Sequence, residues 1–213
     1  MSPRGSSLPS YGIAAILLLG AIVLSGALWK LGDAREAQLA GNGQMSGQTG
    51  VADVGGPFSL IDQNGIRRTE EDFRGRYMLA FFGFTYCPDV CPTTLAILSA
   101  ALKELGPEAE NIVPVLITVD PARDTPEALK PYLAAFGPNF VGLTGSDEEI
   151  ASVAEAYHAY YEIVERENDD YTLNHSATIY LMGPDGKFVT SFTLNMGPEA
   201  IAEELKKLPF GDI

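Results

Sequence analysis

The sequence predicts an α/β domain with a mixed central sheet, and three observations support this fold class. Two uninterrupted apolar runs, at residues 77–84 and 112–119, have the length and composition of buried strands. Segments with helical spacing of apolar residues follow each run. Near the carboxyl end, a Gly-Pro-Asp-Gly turn at residues 183–186 joins two β segments, as in an antiparallel hairpin. Strands that alternate with helices and then end in a hairpin indicate a layered domain with a mixed sheet.

Turn and cap signals predict the elements of the first half of this domain. An Asn-Gly pair at residues 64–65 supplies the positive φ of a tight turn and predicts a short hairpin over residues 57–68. The buried strand at 77–84 follows. Thr93 or Thr94 is a candidate amino-terminal cap for the next helix, which ends before a Gly-Pro pair.

The second half continues the alternation and closes it. Asp-Thr-Pro-Glu at residues 124–127 and Ser-Asp-Glu-Glu at residues 146–149 are helix-start signals. From residue 112 onward we predict strands at 112–119, 140–143, 175–182 and 187–194, and helices at 124–136, 146–158 and 199–208.

The first 56 residues are predicted to lie outside the folded domain. Residues 8–29 hold no charged side chain and are long enough to cross a bilayer core of about 30 Å at about 1.5 Å per residue. We therefore predict a short cytoplasmic tail and a transmembrane anchor over residues 1–30. A flexible linker over 31–56 and the domain over 57–213 follow. Cleavage of the apolar segment at a Ser-Gly-Ala site, residues 25–27, is the alternative.

The charge balance of the chain argues against nucleic acid as a partner. The chain has 28 acidic and 14 basic residues, a formal net charge of −14 and a sequence pI near 4.4. An acidic surface repels phosphate backbones and anionic lipid headgroups. It suits plain solubility, and it also suits a basic protein patch or a metal donor.

Both cysteines of the chain lie within residues 85–94, directly after the first apolar run. Cys87 and Cys91 are four positions apart, so a disulfide between them closes a very short loop and contributes little stability. We expect the pair to cycle between dithiol and disulfide or to bind a soft metal ion, because a helix amino terminus favours the thiolate that both chemistries need. Cysteines at the end of a core strand, entering a helix, place the predicted domain in the thioredoxin-like group.

A metal site needs a third ligand, and the chain has two histidines. His158 lies in a helical stretch rich in Ala and Tyr, which favours a role on the helix surface. His175 opens the predicted strand 175–182, where a thioredoxin-like sheet places it beside the cysteine loop. Thioredoxin-type oxidoreductases carry a cis-proline at this place, and no proline occurs here between Pro138 and Pro184. This pattern favours a metal site, with a structural role for His175 as the alternative.

Three motifs resemble those of the Sco/SenC family of copper-binding assembly factors for cytochrome c oxidase. Residues 85–92 (TYCPDVCP) resemble the family's C-P-x-x-C-P signature. Residues 119–126 (VDPARDTP) resemble its D-P-x-R-D-T-P stretch, and residues 174–176 (NHS) its histidine motif. The motifs occur in the family's order, and the similarity covers roughly residues 57–208.

The resemblance implies a thioredoxin-like domain that binds one copper ion, as Cu(I) or Cu(II), through Cys87, Cys91 and His175. It implies a membrane-anchored copper metallochaperone that assists assembly of the dinuclear copper site on cytochrome c oxidase subunit II. The implied partners are that subunit, an upstream copper donor protein and a thiol reductant of the thioredoxin type. Asp120 is a candidate for a carboxylate beside the site, and its alternative role is to form the Asp-Pro turn at the strand end.

The amino-terminal segment also bears on the compartment. Mitochondrial import signals are rich in Arg, whereas residues 1–30 hold one Arg and one Lys. This predicts a bacterial inner-membrane protein with its domain in the periplasm. The mitochondrial inner membrane, with the domain facing the intermembrane space, is the alternative.

Two catalytic functions stand beside the chaperone function. A thiol–disulfide oxidoreductase that reduces the copper-ligand cysteines of the target would use Cys87 and Cys91 as its redox pair. A peroxidase of the peroxiredoxin or glutathione-peroxidase type shares the fold, but Cys91 is placed as a co-ligand, so this function is the least favoured. We predict a binding protein rather than an enzyme with turnover.

Overall fold

The computed structural model describes residues 54–165 and 171–212 of the chain. The described strands are β1 (Ser59–Asp62), β2 (Arg67–Thr69), β3 (Tyr77–Gly83), β4 (Ile112–Thr118), β5 (Val141–Thr144), β6 (Tyr161–Glu165), β7 (Tyr171–His175), β8 (Ile179–Met182) and β9 (Phe188–Phe192). The described α-helices are α1 (Val90–Leu105), α2 (Pro126–Ala134), α3 (Asp147–Ala156) and α4 (Pro198–Leu205). The central sheet has the strand order β2-β1-β5-β4-β3-β8-β9, and β6 and β7 pair in a separate small sheet.

The centre of the main sheet is covered on both faces. Every residue of β3 and of β4 is buried, and because side chains alternate between faces, both faces need a covering layer. Helix α1 packs against α4, while α2 contacts β5 and α3 contacts β1. β3, β4 and β5 run parallel, whereas β1, β8 and β9 pair antiparallel with their neighbours. The predicted mixed sheet is therefore confirmed.

Helix α1 begins before the residues that were expected to cap it. Its first residue is Val90, with Asp89 at the cap position, so Cys91 and Pro92 lie in the first turn. A proline is tolerated there, since the N–H groups of a helix's first turn have no intrahelical partner. The consequence is that Cys91 belongs to the helix, whereas Cys87 belongs to the loop that precedes it.

The region around His175 also differs from the prediction. The expected strand 175–182 consists of two elements, because His175 is the last residue of β7 and β8 begins at Ile179. β7 pairs with β6 in antiparallel register, with Tyr161 opposite His175. The Ser176 N–H then donates to the Tyr160 carbonyl at 2.8 Å, which ends the hairpin. The histidine is thus carried by a small sheet of its own.

The predicted anchor at residues 1–30, and the predicted linker up to residue 53, lie outside the described residues. Gly55, near the end of that predicted linker, donates its N–H to the Ala156 carbonyl at 2.8 Å. Within the described ranges, no helix combines the length and the apolar character needed to span a bilayer.

Candidate metal centre

Cys91 is held against the carboxyl end of β3. Its side chain is fully buried, and its Sγ accepts a hydrogen bond from the Phe84 N–H at 3.5 Å. The backbone of Gly83 approaches the sulfur so closely that a Cβ at this position would lie 2.8 Å from Sγ. The lack of a side chain at Gly83 therefore makes room for the Cys91 sulfur at the carboxyl end of β3.

Cys87 lies in the loop between β3 and α1. Its own N–H donates to the Phe84 carbonyl at 3.3 Å, which closes a turn at the start of the loop. Its Sγ accepts a hydrogen bond from the Cys91 N–H at 3.3 Å. This amide belongs to the first turn of α1, so the sulfur lies at the positive end of the helix. Cys87 is half-buried, whereas Cys91 is not accessible.

His175 reaches the cysteines from the small sheet. Its Nε2 lies 3.3 Å from the Sγ of Cys91, and its Nδ1 lies 3.0 Å from the Ser176 carbonyl oxygen. The rings of Phe81 and Phe84 meet the imidazole edge-on, at centroid distances of 5.8 and 5.7 Å. A carbonyl beside Nδ1 favours the tautomer with the proton on Nδ1, which leaves the Nε2 lone pair directed at the sulfurs.

The structure brings the three predicted ligand residues together. The ligand atoms of Cys87, Cys91 and His175 all lie within 4.8 Å of one another, although the imidazole follows Cys91 by 84 positions in the chain. Two sulfurs and one imidazole nitrogen form a donor set that suits a soft or borderline metal ion such as copper. The same two sulfurs are close enough for thiol–disulfide chemistry.

The two thiols differ in acidity. The Cys91 thiol donates to the Cys87 sulfur, and this bond is the largest cause that lowers the pKa of Cys87 from 9.0 to about 4. Hydrogen bonds from the N–H groups of Cys91 and Asp89 act in the same direction, and burial opposes them. The shared proton and the buried position raise the pKa of Cys91. At neutral pH the pair therefore holds one thiolate and one thiol.

Asp120 lies at the end of β4 and contacts a different set of groups. It is 3% exposed, and its carboxylate accepts hydrogen bonds from the Tyr171 hydroxyl at 2.7 Å and from Nε of Arg123. Its N–H donates to the Thr118 hydroxyl at 3.0 Å. The carboxylate therefore bonds to the first residue of β7, at the opposite end of that strand from His175.

Asp124 is a site-supporting residue that the sequence reasoning missed. Its buried carboxylate accepts hydrogen bonds from the Thr85 N–H at 3.0 Å, from the Thr85 hydroxyl and from the Thr118 hydroxyl at 2.6 Å. Burial raises the pKa of Asp124, and the bonds from the two threonines oppose that shift. Asp124 thus ties the start of the cysteine loop to β4. Residues 119–126 were singled out for their resemblance and 124–127 as a helix start, and these were the signals that could have found Asp124.

A family model described as SCO1/SenC matches residues 46–209 of the chain. The chain belongs to the SCO1/SenC family. Among curated SCO relatives, the SCO2-like protein of Rickettsia felis is 38% identical over 196 residues, which cover 91% of this chain and 96% of that protein. The mitochondrial SCO1 homolog 1 of Arabidopsis thaliana is 43% identical over 159 residues, which cover 74% of this chain and 48% of the plant protein.

Solved Sco structures share the fold. ScoI of Bradyrhizobium japonicum, solved with copper bound, is 46% identical with a TM-score of 0.69, over 72% of this chain and 98% of that one. BsSco is described as a member of the Sco family of cytochrome c oxidase assembly proteins, and a disulfide switch has been identified in it. It is 28% identical with a TM-score of 0.59, over 74% of this chain and 95% of that one. These structures confirm the thioredoxin-like fold predicted from the sequence.

Proposed function

We propose that this chain is a copper metallochaperone that binds one copper ion through Cys87, Cys91 and His175. The observation that carries the proposal is the convergence of these three ligand atoms to within 4.8 Å of one another. The donor set supports it, because two thiolates and an imidazole suit Cu(I), and Cu(II) adds an oxygen ligand to such a set. The copper-bound ScoI relative gives independent support.

The protonation of the site fits a metal that binds to thiolates. Cys87 is ionised in the metal-free protein, and the Nε2 of His175 is free of a proton in the favoured tautomer. Cys91 keeps its proton until the ion arrives, since its pKa is raised. Binding through all three groups therefore releases a proton from Cys91, and copper affinity rises with pH.

The biological role follows the family. Assembly of cytochrome c oxidase is the process with which the BsSco relative is associated. We propose that the chain delivers copper to the dinuclear site of subunit II, receives it from an upstream donor protein, and is kept reduced by a dithiol of the thioredoxin type. The apolar residues 8–29 support a membrane anchor, with the domain in the periplasm of a bacterium. Relatives named as mitochondrial support the intermembrane space as the alternative.

A second function is favoured by the unequal thiols. The Cys87 thiolate is partly accessible and can attack a disulfide in the target, forming a mixed disulfide and releasing one target thiolate. Cys91 then loses its proton to the thiolate released from the target and attacks the Cys87 sulfur, which breaks the mixed disulfide and yields the Cys87–Cys91 disulfide and the reduced target. An external dithiol must restore the pair. The disulfide switch of BsSco supports this alternative.

Replacement of the imidazole separates the two functions. The full-length chain, purified reduced in detergent, is loaded with copper and compared with His175→Ala by metal analysis and by the thiolate-to-Cu(II) absorption band. The control is His158→Asn, because position 158 has a φ of 53° and asparagine tolerates that conformation. We expect one copper per chain in the wild type and the control, and both signals badly weakened in His175→Ala, where two sulfurs remain.

Two results would contradict the copper function. One is copper retention that does not depend on His175. The other is a wild-type chain that retains no copper while Cys87 and Cys91 exchange readily with a model disulfide, which would identify the protein as a thiol–disulfide oxidoreductase.

A further inference from the structure

Arg123 lies between the two elements that carry the proposed ligands. Its guanidinium carbon is 3.7 Å from the ring centroid of Tyr171, and its Nη1 donates to the Tyr171 carbonyl at 3.0 Å. The same carbon is 4.9 Å from the ring centroid of Tyr86, which directly precedes Cys87. One side chain therefore contacts both the strand that ends at His175 and the loop that carries Cys87.

Asp120 fixes the arginine at this place. Its carboxylate accepts from Nε of Arg123 with one oxygen and from the Tyr171 hydroxyl with the other, so the three side chains form a closed cycle of contacts. Both residues of the ion pair are largely buried, with side chains 20% and 2% exposed. A guanidinium that stacks on one ring and donates to a buried carboxylate has one favoured orientation.

The hairpin of β6 and β7 needs such contacts to hold its place. A two-stranded sheet alone is marginally stable, and within the described residues β7 pairs with β6 and not with the central sheet. The two-residue period of a strand puts Tyr171, Leu173 and His175 on one face of β7. Leu173 is buried in the core, and His175 contacts Cys91. Tyr171 anchors the other end of this face, about 13 Å from His175 at about 3.3 Å per residue.

We infer that Arg123 is a positioning residue for His175. By holding Tyr171 against the turn that follows β4, it keeps β7 in the place at which the imidazole meets the two sulfurs. This inference rests on the proposed copper function and adds to it a residue outside the ligand set. It predicts that the shape of the arginine matters and not only its charge, because lysine cannot stack and donate as a planar fork.

The first test measures Cu(I) affinity of the full-length chain in detergent by competition with bathocuproine disulfonate. Residues that support metal ligands cost about 10- to 100-fold in affinity when replaced. We expect Arg123→Lys to weaken Cu(I) binding about 10-fold, the lower limit of this range, because Arg123 acts on His175 only through the backbone of β7. The matched control is Arg67→Lys, since Arg67 pairs with Glu149 in a half-exposed ion pair away from the cysteines; we expect less than a twofold change.

The second test asks whether the effect passes through the imidazole. Arg123→Lys is introduced into His175→Ala, where no imidazole remains to be positioned. We expect the further loss of affinity to fall below twofold, because two residues that act as one unit are not additive. An equal loss in both backgrounds, or an unchanged affinity of Arg123→Lys in the wild-type background, overturns the inference.

The third test needs no copper. The Cε1–H resonance of His175 is followed by NMR in metal-free protein labelled on histidine, and we expect it to shift and broaden in Arg123→Lys but not in Arg67→Lys. Tyr171→Phe keeps the ring under the guanidinium and loses only the bond to Asp120, so it gives a smaller shift in the same direction and serves if Arg123→Lys does not fold. If the wild-type protein binds no copper but the His175 resonance still shifts in Arg123→Lys, the proposed function is contradicted and the positioning role of Arg123 is not. An unmoved His175 resonance in a copper-binding protein contradicts the inference alone.

Discussion

Gly83→Ala tests how tightly the Cys91 sulfur is held at the end of β3. The new Cβ would lie 2.8 Å from the Cys91 sulfur and from a ring carbon of Phe81, and 3.3 Å from Leu116. Ordinary contacts begin at 3.4 Å, so the sulfur or the strand must move by about 0.6 Å. Metal–ligand distances are held to within about 0.2 Å, so a shift of this size disturbs the proposed site.

Two opposing terms decide the stability of Gly83→Ala. Replacing a glycine inside a strand stabilises the folded state by about 0.5–1 kcal/mol, because the unfolded chain loses freedom. Overpacking a filled core costs about 1–3 kcal/mol. At the middle of both ranges the clash dominates, and we expect a net loss of about 1 kcal/mol, with an upper bound of about 2.5 kcal/mol. For a domain of this size each kcal/mol lowers Tm by about 2–4 °C, so the expected fall is about 2–4 °C and at most about 10 °C.

The assay is a thermal melt of the metal-free full-length chain, followed by copper titration. Gly211→Ala is the control, because a Cβ at Gly211 meets nothing within 4 Å. We expect Gly83→Ala to lower both Tm and copper affinity and Gly211→Ala to leave both unchanged. A rise in Tm for Gly83→Ala with unaltered copper binding would contradict this reasoning, because it would show that the Cys91 sulfur is not in tight contact with residue 83.

Two further predictions concern thiol reactivity and the buried carboxylate. In metal-free protein at pH 6, we expect iodoacetamide to modify Cys87 and to spare Cys91. The rate of Cys87 modification is half-maximal near pH 4, because the lowered pKa keeps its thiolate present above that pH. Tandem mass spectrometry locates the label, and a rate midpoint near pH 9 would contradict the lowered pKa. Thr118→Val removes a buried hydrogen-bond donor to Asp124, and we expect it to lower the free energy of unfolding, measured by urea denaturation, by about 1–3 kcal/mol. Thr190→Val, at an exposed position, is the control. An equal loss of stability in both variants would contradict a specific role for the Thr118 hydroxyl.

The core strands were predictable because their signals are local. The apolar runs at 77–84 and 112–119 match β3 and β4 to within one residue, and the Gly-Pro-Asp-Gly turn separates β8 from β9 as expected. A fully buried parallel pair needs continuous apolar sequence, and such a run is readable without tertiary information. The grouping of Cys87, Cys91 and His175 depended on knowing how a thioredoxin-like sheet places its loops.

The hairpin that carries His175 was not predicted, and the physical reason is clear. β7 (Tyr-Thr-Leu-Asn-His) holds one buried residue, Leu173, and β6 holds none, so the apolar alternation in each strand is too short to predict a hairpin. The supporting roles of Arg123 and Asp124 were also hidden, since their partners Tyr171 and Thr85 lie 48 and 39 positions away. Such pairings are created by the tertiary fold and leave no local pattern.

The separation of the proposed ligands along the chain has a consequence for folding kinetics. Cys91 and His175 are 84 positions apart, and long-range contacts form late because the loop between them must first be closed. A chain that has built α1 but not yet docked the hairpin offers two sulfurs and no imidazole. Binding through all three groups is therefore a mark of finished folding. An ion that needs the histidine for tight binding is therefore held tightly by the fully folded protein and weakly by the partly folded chain.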